Sequence, residues 1–178
     1  MKRAERVFDY ARDRMSLGFE AFAAQHPDLV MLYTIALPKP GARVVATKEV
    51  DTGVSNASPA TVKALRSEAF RTRLVRLHTK METLTIGRDE SQDVALSDDE
   101  NVSSRHAELR SESDGLRLRD LGSKNGTTVN GVRIPPEGHL VVAGDLIGVG
   151  STVLQVVSPT QLYEVLSTLL DPHIALPS

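Results

Sequence analysis

The chain has 178 residues, of which 40% are hydrophobic and 25% are charged, and its formal net charge is -2. This composition is ordinary for a soluble globular protein, and the near-neutral charge excludes a strong electrostatic attraction to nucleic acid or to an acidic membrane surface. The absence of cysteine excludes disulfides and thiolate metal sites. Because the apolar runs are too short for a membrane span and no signal-peptide core is present, we expect a cytoplasmic protein.

The sequence pattern of residues 1–70 predicts a small α+β or helical region of unknown role. Apolar residues recur at steps of three and four over residues 2–24, which predicts one amphipathic helix. The apolar run at residues 29–37 predicts a buried strand, and residues 43–50 predict a second strand that would pair with it as a hairpin. Ser58, followed by a proline, is typical of the start of a second helix.

Residues 71–157 contain short segments of alternating apolar and polar residues, separated by turn residues. Residues 116–119 read Leu-Arg-Leu-Arg, which is typical of a strand with one face in water. Frequent short strands of this kind predict an all-β sandwich. The predicted strands are residues 73–78, 84–87, 94–96, 106–110, 116–119, 140–142, 145–149 and 152–157.

The sequence pattern of residues 158–178 predicts a C-terminal helix followed by a tail. Ser158 and Gln161 have the spacing of a capping box, and Pro159 occupies the first helical position. Leucine and valine residues then recur at helical spacing up to Leu170, which indicates one apolar side.

Three polar motifs lie where predicted strands end and loops begin: Gly87-Arg88, Ser103-Ser104-Arg105-His106 and Lys124-Asn125-Gly126. They would present an arginine, a serine and an asparagine from separate loops on a rigid sheet, which is a common arrangement for a binding site. Arginine grips an oxyanion with two parallel N–H bonds, and serine adds a neutral donor. Asparagine both donates and accepts hydrogen bonds, which suits a peptide main chain. These residue types predict recognition of a phosphorylated group beside an extended peptide.

In this order and at this spacing, the motifs resemble the forkhead-associated (FHA) domain, a β-sandwich that binds phosphothreonine peptides. The resemblance covers residues from about 72 to 157, including the later glycine-rich segment 144–150. It implies a mainly β fold: an FHA-like antiparallel β-sandwich that carries an N-terminal α+β or helical extension and a C-terminal helix.

The resemblance also implies roles for individual residues. Arg88 would hold the phosphate rather than pair with a neighbouring carboxylate of Asp89, Glu90 or Asp93. Ser104 stands where many family members carry arginine or asparagine, and Arg105 faces either the ligand or solvent. The expected phosphopeptide-binding residues are Arg88, Ser103, Ser104, Arg105, Lys124 and Asn125. The residues expected to support the site are Gly87, His106, Gly126, Thr127, Asn130 and Gly131.

The function implied by the resemblance is that of a non-enzymatic signalling adaptor. Its partner would be a phosphothreonine-containing protein, either a Ser/Thr kinase or a substrate of one, and binding would need no metal, cofactor, nucleic acid or membrane. The acidic loop at residues 98–100 leads us to expect tolerance for basic ligand residues near the third position after the phosphothreonine. The oligomeric state stays open.

Two other functions are alternatives. An enzyme would use Ser103, His106 and Asp120 as a catalytic triad, but the sequence lacks the strand-to-helix turn that presents a nucleophilic serine. A scaffold or oligomerisation protein would bind its partner through aromatic residues of the N-terminal helix, namely Phe8, Phe19 and Phe22.

Overall fold

A computed structural model of the chain describes residues 5–34, 72–77 and 83–170. Within these ranges the strands are β1 (Glu5–Arg6), β2 (Leu29–Thr34), β3 (Thr72–Leu77), β4 (Thr83–Gly87), β5 (Val94–Ala95), β6 (Ala107–Glu112), β7 (Gly115–Asp120), β8 (Thr127–Val129), β9 (Val132–Arg133), β10 (His139–Val141), β11 (Leu146–Val149) and β12 (Thr152–Val157). The helices are α1 (Val7–Ser16), α2 (Phe19–Gln25) and α3 (Pro159–Leu170).

The strands form two sheets that pack face to face. The seven-stranded sheet has the order β1-β3-β2-β12-β11-β8-β9, and the five-stranded sheet has the order β10-β7-β6-β4-β5. The predicted mainly β sandwich with flanking helices is therefore confirmed. Within the described ranges the strand pairs are antiparallel except for β4 and β5, which run parallel, with Ile86 opposite Val94.

The main core lies between the two sheets and follows the predicted alternation. Leu116 and Leu118 of β7 are 4% and 0% exposed, whereas Arg117 and Arg119 on the other face are half-buried. Burying one such apolar side chain contributes at most about 1.5–3 kcal/mol, before the entropy of ordering the chain is subtracted. The sandwich therefore presents a rigid frame from which its loops project.

A second apolar cluster covers the outer face of the seven-stranded sheet. There Val30 and Leu74 pack against Tyr10 of α1, Phe22 of α2 and Leu162 of α3. Residues on both faces of β2 are buried, so this strand reads as a continuous apolar run. The helices thus form a third layer on one side of the sandwich.

The predicted capping box of α3 is confirmed. The backbone N–H of Ser158 donates to Gln161 Oε1 over 2.8 Å, and the backbone N–H of Gln161 donates to Ser158 Oγ over 3.2 Å. Two backbone donors at the helix start are thereby satisfied by side chains. None of the helices in the described ranges is long and apolar enough to span a membrane.

The prediction of a single helix over residues 2–24 was wrong. Glu5–Arg6 instead forms β1 and pairs with β3. The helical path also breaks at Gly18, which has an extended backbone (φ -68°, ψ 165°) and precedes α2. Glycine is costly inside a helix because it loses the most backbone freedom there. The break lets Tyr10 and Phe22 both reach the apolar cluster under α3.

Strand β2 confirms part of the buried strand predicted at residues 29–37. It lies between β3 and β12, with Met31 opposite both Val75 and Val156. Its predicted hairpin partner at residues 43–50, the helix predicted from Ser58, and the tail lie outside the described residues. The division of the chain at residues 70 and 157 stays a prediction, although the seven-stranded sheet takes strands from both sides of the first boundary.

The aromatic residues invoked for the scaffold alternative are partly used inside this chain. Phe22 is 0% exposed, and its ring meets the ring of Tyr163 edge-on at 5.3 Å. Phe19 also contacts Tyr163, at 5.4 Å between ring centroids, but is 41% exposed. The side chain of Phe8 lies outside the described residues. The buried part of this aromatic set therefore packs within the same chain.

Candidate functional site

Four connections meet at one end of the sandwich. They are the arginine loop (residues 88–93), the serine loop (residues 96–106), the asparagine loop (residues 121–126) and the β11–β12 turn (residues 150–151). Strand pairing brings them together, because the register places Ile86 opposite Ala107, Ala107 opposite Asp120, and Val149 opposite Thr127. The three predicted motifs therefore lie at the same end.

The arginine loop and the serine loop are joined through their backbones. The N–H of Arg88 donates to the carbonyl of Ser103 over 3.0 Å, and the N–H of Asp89 donates to the carbonyl of Ser104 over 3.2 Å. The positions of Arg88 and Ser103 are thus coupled by main-chain hydrogen bonds.

Gly87 permits this close approach. A Cβ atom at this position would collide with the carbonyl oxygen of Ser104 and would lie 2.9 Å from its carbonyl carbon and 3.1 Å from Arg105 Cα. The obstacle is backbone rather than a flexible side chain, so a larger residue would displace the serine loop. The supporting role expected of Gly87 now has a steric basis.

The hydroxyl of Ser103 is partly committed to the neighbouring loop. Its oxygen accepts a hydrogen bond from the backbone N–H of Lys124 over 3.0 Å. A hydroxyl has one proton to donate in addition to its acceptor positions. The hydroxyl is therefore anchored to the asparagine loop while its proton remains available to a ligand acceptor.

His106 is fully buried and joins the serine loop to the asparagine loop. Its Nδ1 accepts a hydrogen bond from the N–H of Ser103 over 3.1 Å, so Nε2 carries the proton and donates to the carbonyl of Gly126 over 3.2 Å. Since both ring nitrogens are used by backbone groups, His106 cannot receive a proton from Ser103 Oγ. The geometry excludes the triad of Ser103, His106 and Asp120 that a hydrolase would need.

Asp120 organises the asparagine loop, a role that the sequence reasoning missed. Its Oδ1 accepts from the backbone N–H groups of Gly122 and Ser123, at 2.9 and 2.8 Å. Its Oδ2 accepts from the hydroxyls of Ser123 and Thr127, each at 2.7 Å. Burial alone would raise the pKa of Asp120, but these hydrogen bonds outweigh it and lower the pKa below its ordinary value. Asp120 followed by Gly122 is an Asx-turn pattern that would have given the signal.

Asn125 is exposed, and the NH2 group of its side-chain amide is hydrogen-bonded to the serine loop. Its Nδ2 donates to the carbonyl of Asn101 over 2.8 Å, and Asn101 Nδ2 in turn donates to Ser151 Oγ over 2.8 Å. The Oδ1 of Asn125 is left as an acceptor for a ligand N–H. The amide is therefore oriented before any ligand arrives.

Gly126 and Arg133 meet on the side of the asparagine loop that faces β9. Gly126 has a left-handed backbone (φ 78°), and a Cβ atom there would collide with the guanidinium of Arg133. Arg133 of β9 is exposed and was not among the predicted site residues. Only the return of β9 beside β8, which the sequence did not predict, places its side chain at this loop.

The predicted cations at this end are not neutralised by neighbouring acids. Arg88, Arg105 and Lys124 are exposed, and within the described residues none of their side chains forms an ion pair or a hydrogen bond. Asp93 instead accepts from Thr85, and Asp89 accepts from Ser91. The hydrogen bond from the Ser91 backbone lowers the pKa of Asp89. The ion-pair alternative for Arg88 therefore finds no support in the described geometry.

Two of the predicted supporting residues lie elsewhere. Asn130 (φ 53°) and Gly131 form the β8–β9 turn, at the opposite end of β8 from the asparagine loop. Asn130 donates to Asp145 Oδ1 over 2.9 Å and accepts from the N–H of Leu146 over 3.0 Å. These contacts hold the turn before β11, not the cluster of loops.

The acidic loop contributes two exposed carboxylates rather than three. Asp99 is half-buried, and its Oδ2 accepts from the N–H of Ser151 and the hydroxyl of Thr152, each at 2.8 Å. Asp98 and Glu100 are exposed beside it. Asp99 thus connects the serine loop to the β11–β12 turn, and only its neighbours can meet a ligand.

Part of the chain is similar to known proteins. The family model of the FHA domain matches residues 84–150, so this part of the chain is an FHA domain. An oxoglutarate dehydrogenase inhibitor from Corynebacterium jeikeium is 44% identical over 69 residues, which are 39% of this chain and 46% of that protein. The glycogen accumulation regulator GarA from Mycolicibacterium smegmatis is 41% identical over 68 residues, which are 38% of this chain and 41% of that protein. The chain spans less than half the length of these curated relatives.

Solved structures give matches of the same kind. One comes from a structural and functional analysis of phosphothreonine-dependent FHA domain interactions. It is 24% identical, covers 72% of this chain and 95% of that chain, and has a TM-score of 0.45.

Proposed function

We propose that the FHA domain of this chain binds a phosphothreonine-containing segment of a partner protein. The observation that carries the proposal is the anchored hydroxyl of Ser103. Its oxygen is held by the N–H of Lys124 while the backbone of Arg88 is bonded to the Ser103 carbonyl. A neutral donor and the backbone of a residue with an exposed, unpaired guanidinium are thereby held in joined loops, an arrangement that would suit a phosphate dianion.

In this proposal each predicted binding residue has a specific task. Arg88 and Ser103 hold the phosphate, and the backbone N–H of Ser104 adds a donor. Arg105 and Lys124 contribute positive charge near the phosphate. The Oδ1 of Asn125 accepts from the ligand main chain, because its Nδ2 is already held by the serine loop. Preformed donors of this kind reduce the ordering cost of binding.

The proposed biological role is that of a non-enzymatic adaptor downstream of a Ser/Thr kinase. The relatives named above are an inhibitor and a regulator, which supports a regulatory role rather than a catalytic one. The partner is a phosphothreonine protein, either a kinase or a kinase substrate. We also propose that the protein acts in the cytoplasm.

The test is a titration of the whole chain with a degenerate peptide library fixed at a central residue. The library is made in three matched forms, with phosphothreonine, phosphoserine or unmodified threonine at the centre. We expect measurable binding of the phosphothreonine form and none of the unmodified form. If the methyl group of threonine is buried, it contributes about 0.8 kcal/mol, or a factor of about 4 over phosphoserine.

Arg88→Ala provides the mutational arm. Losing a charge-assisted hydrogen bond costs about 1.5–3 kcal/mol, so we expect phosphothreonine affinity to fall by about 10-fold or more. Arg12→Ala is the matched control, because Arg12 is exposed on α1, in the helical layer. Equal binding of the phosphorylated and unmodified libraries, or unchanged affinity in Arg88→Ala, would contradict the proposal.

A further inference from the structure

Arg133 is an exposed cation that the proposed binding residues do not include. Its guanidinium lies directly over Gly126, beside the asparagine loop. Within the described part of the chain it forms no ion pair and no side-chain hydrogen bond. A charged group held against a binding loop without a partner has free donors to offer to a ligand.

Most other arginines of the described residues already have partners. Those with ion pairs, hydrogen bonds or an aromatic ring beneath them are Arg14, Arg76, Arg110, Arg117 and Arg119. By contrast, Arg88, Arg105 and Arg133 are unpaired, and all three lie at the end that carries the candidate site. Within the described part of the sandwich, the unpaired positive charge is therefore concentrated where a ligand would dock.

The strand order defines the side of the site on which Arg133 lies. Along the seven-stranded sheet, β12 and β11 come before β8, and β9 follows at the edge. Asn101 is bonded to Ser151 in the β11–β12 turn, so it lies on one flank of Asn125. Arg133 on β9 lies on the other flank.

The two flanks differ in charge. The flank with Asn101 carries the exposed carboxylates of Asp98 and Glu100, whereas the flank with Arg133 carries a cation. An extended peptide that crosses the asparagine loop would meet negative charge on one side of its phosphothreonine and positive charge on the other. The site therefore has an electrostatic polarity along the ligand direction.

We infer that Arg133 is a specificity-determining residue that binds an acidic side chain of the ligand, on the side of the phosphothreonine away from the acidic loop. This inference rests on the proposed phosphothreonine binding and adds the charge pattern of the partner. Neighbouring strands are about 4.8 Å apart, and an extended peptide advances about 3.3 Å per residue. The acidic residue is therefore expected two or three positions from the phosphothreonine.

The experiment uses the whole chain and fluorescent synthetic peptides, measured by fluorescence anisotropy at low salt. One phosphothreonine peptide has only alanine around the modified residue. Two others carry aspartates at the second and third positions, either before or after the phosphothreonine, and two more carry lysines at those places. Each sequence is also made with unmodified threonine, which tests the proposed function separately.

We expect the aspartate peptide of one direction to bind about 3- to 5-fold more tightly than the alanine peptide, which is near the upper range for an exposed ion pair. Arg133→Gln should remove that difference and leave the affinity for the alanine peptide within about 2-fold. Arg133→Glu should reverse the preference towards the lysine peptide of the same direction. Arg12→Gln, a change of another exposed and unpaired arginine in the helical layer, should leave every affinity unchanged. High salt should weaken the preference, because exposed charges are screened.

The outcomes separate the two proposals. If the alanine phosphothreonine peptide binds but neither aspartate peptide is preferred, or if Arg133→Gln keeps the preference, the role of Arg133 is refuted while the proposed function stands. If aspartates in both directions help equally, a diffuse positive field explains the result and Arg133 has no specific role. If no phosphorylated peptide binds better than its unmodified counterpart, both proposals fail.

Discussion

His106→Ala should destabilise the protein and weaken the link between the serine loop and the asparagine loop. The imidazole is fully buried and satisfies the N–H of Ser103 and the carbonyl of Gly126. Alanine can make neither hydrogen bond, so the substitution leaves a donor and an acceptor without partners. Both loops would then lose their direct connection through this side chain.

The loss of stability can be estimated from the two backbone groups, the N–H of Ser103 and the carbonyl of Gly126, that are left without hydrogen-bond partners. A buried polar group without a partner costs about 1–3 kcal/mol. The contact with Gly126 is buried and the contact with Ser103 is partly buried, so the second cost lies near the lower end. We expect the free energy of unfolding to fall by about 2–4 kcal/mol, and Tm to fall by about 5–15 °C for a chain of this size.

The assay is urea unfolding followed by circular dichroism, together with peptide titration well below Tm. His139→Ala is the matched control, because the His139 side chain is 36% exposed and its one described side-chain hydrogen bond is with Asp145. That control should lose less than about 1 kcal/mol and keep its peptide affinity. A His106→Ala protein within about 0.5 kcal/mol of the parent, or one that binds phosphopeptide normally, would refute the bridging role.

Two further substitutions test the residues that hold the asparagine loop and the serine loop in place. Because the folded-state pKa of Asp120 is lowered, its stabilising effect is present above the unfolded-state pKa near 3.9 and is lost as pH falls through the folded-state value. Asp120→Asn should therefore lower stability at neutral pH and flatten the loss of stability below about pH 4. An unchanged acid profile in urea unfolding would contradict this account. Gly87→Ala should cost about 1–3 kcal/mol and weaken phosphopeptide binding, because its Cβ would push against the backbone of Ser104. Gly18→Ala is its control, since Gly18 has ordinary φ and nothing within 4 Å of an added Cβ, and equal losses in the two variants would show that the serine loop is not displaced.

The sequence predicted the sandwich because several of its strands, such as β4 and β7, alternate apolar and polar residues and because its turns carry glycine. In β7 the leucines are buried and the arginines point outward, as Leu116-Arg117-Leu118-Arg119 indicates. The three motifs were also found at one end, since each directly follows or precedes a strand. Periodicity and turn chemistry are local properties, so they can be read from neighbouring residues.

What the sequence did not predict depends on contacts between distant segments. Asp99 holds Thr152, and Arg133 lies over Gly126, although neither pair shares a local pattern. The break at Gly18 was hidden because the residues on both sides fit one helical repeat. Which of these residues meet is decided by strand order, and strand order follows from the packing of the whole sheet.

The position of β2 shows how closely the N-terminal segment is tied to the candidate site. β2 pairs with β12 on one side and β3 on the other, so it completes the seven-stranded sheet from outside the region that matches the FHA family. The β11–β12 turn, which binds Asp99 and Asn101, begins on that same sheet. Helices α1, α2 and α3 pack against one another in one layer over β2, β3 and β12. The helical layer therefore packs against β12, which follows the turn that is bonded to Asn101, and Asn101 is bonded to Asn125. Changes in the N-terminal segment thus have a physical route to the loops of the candidate site.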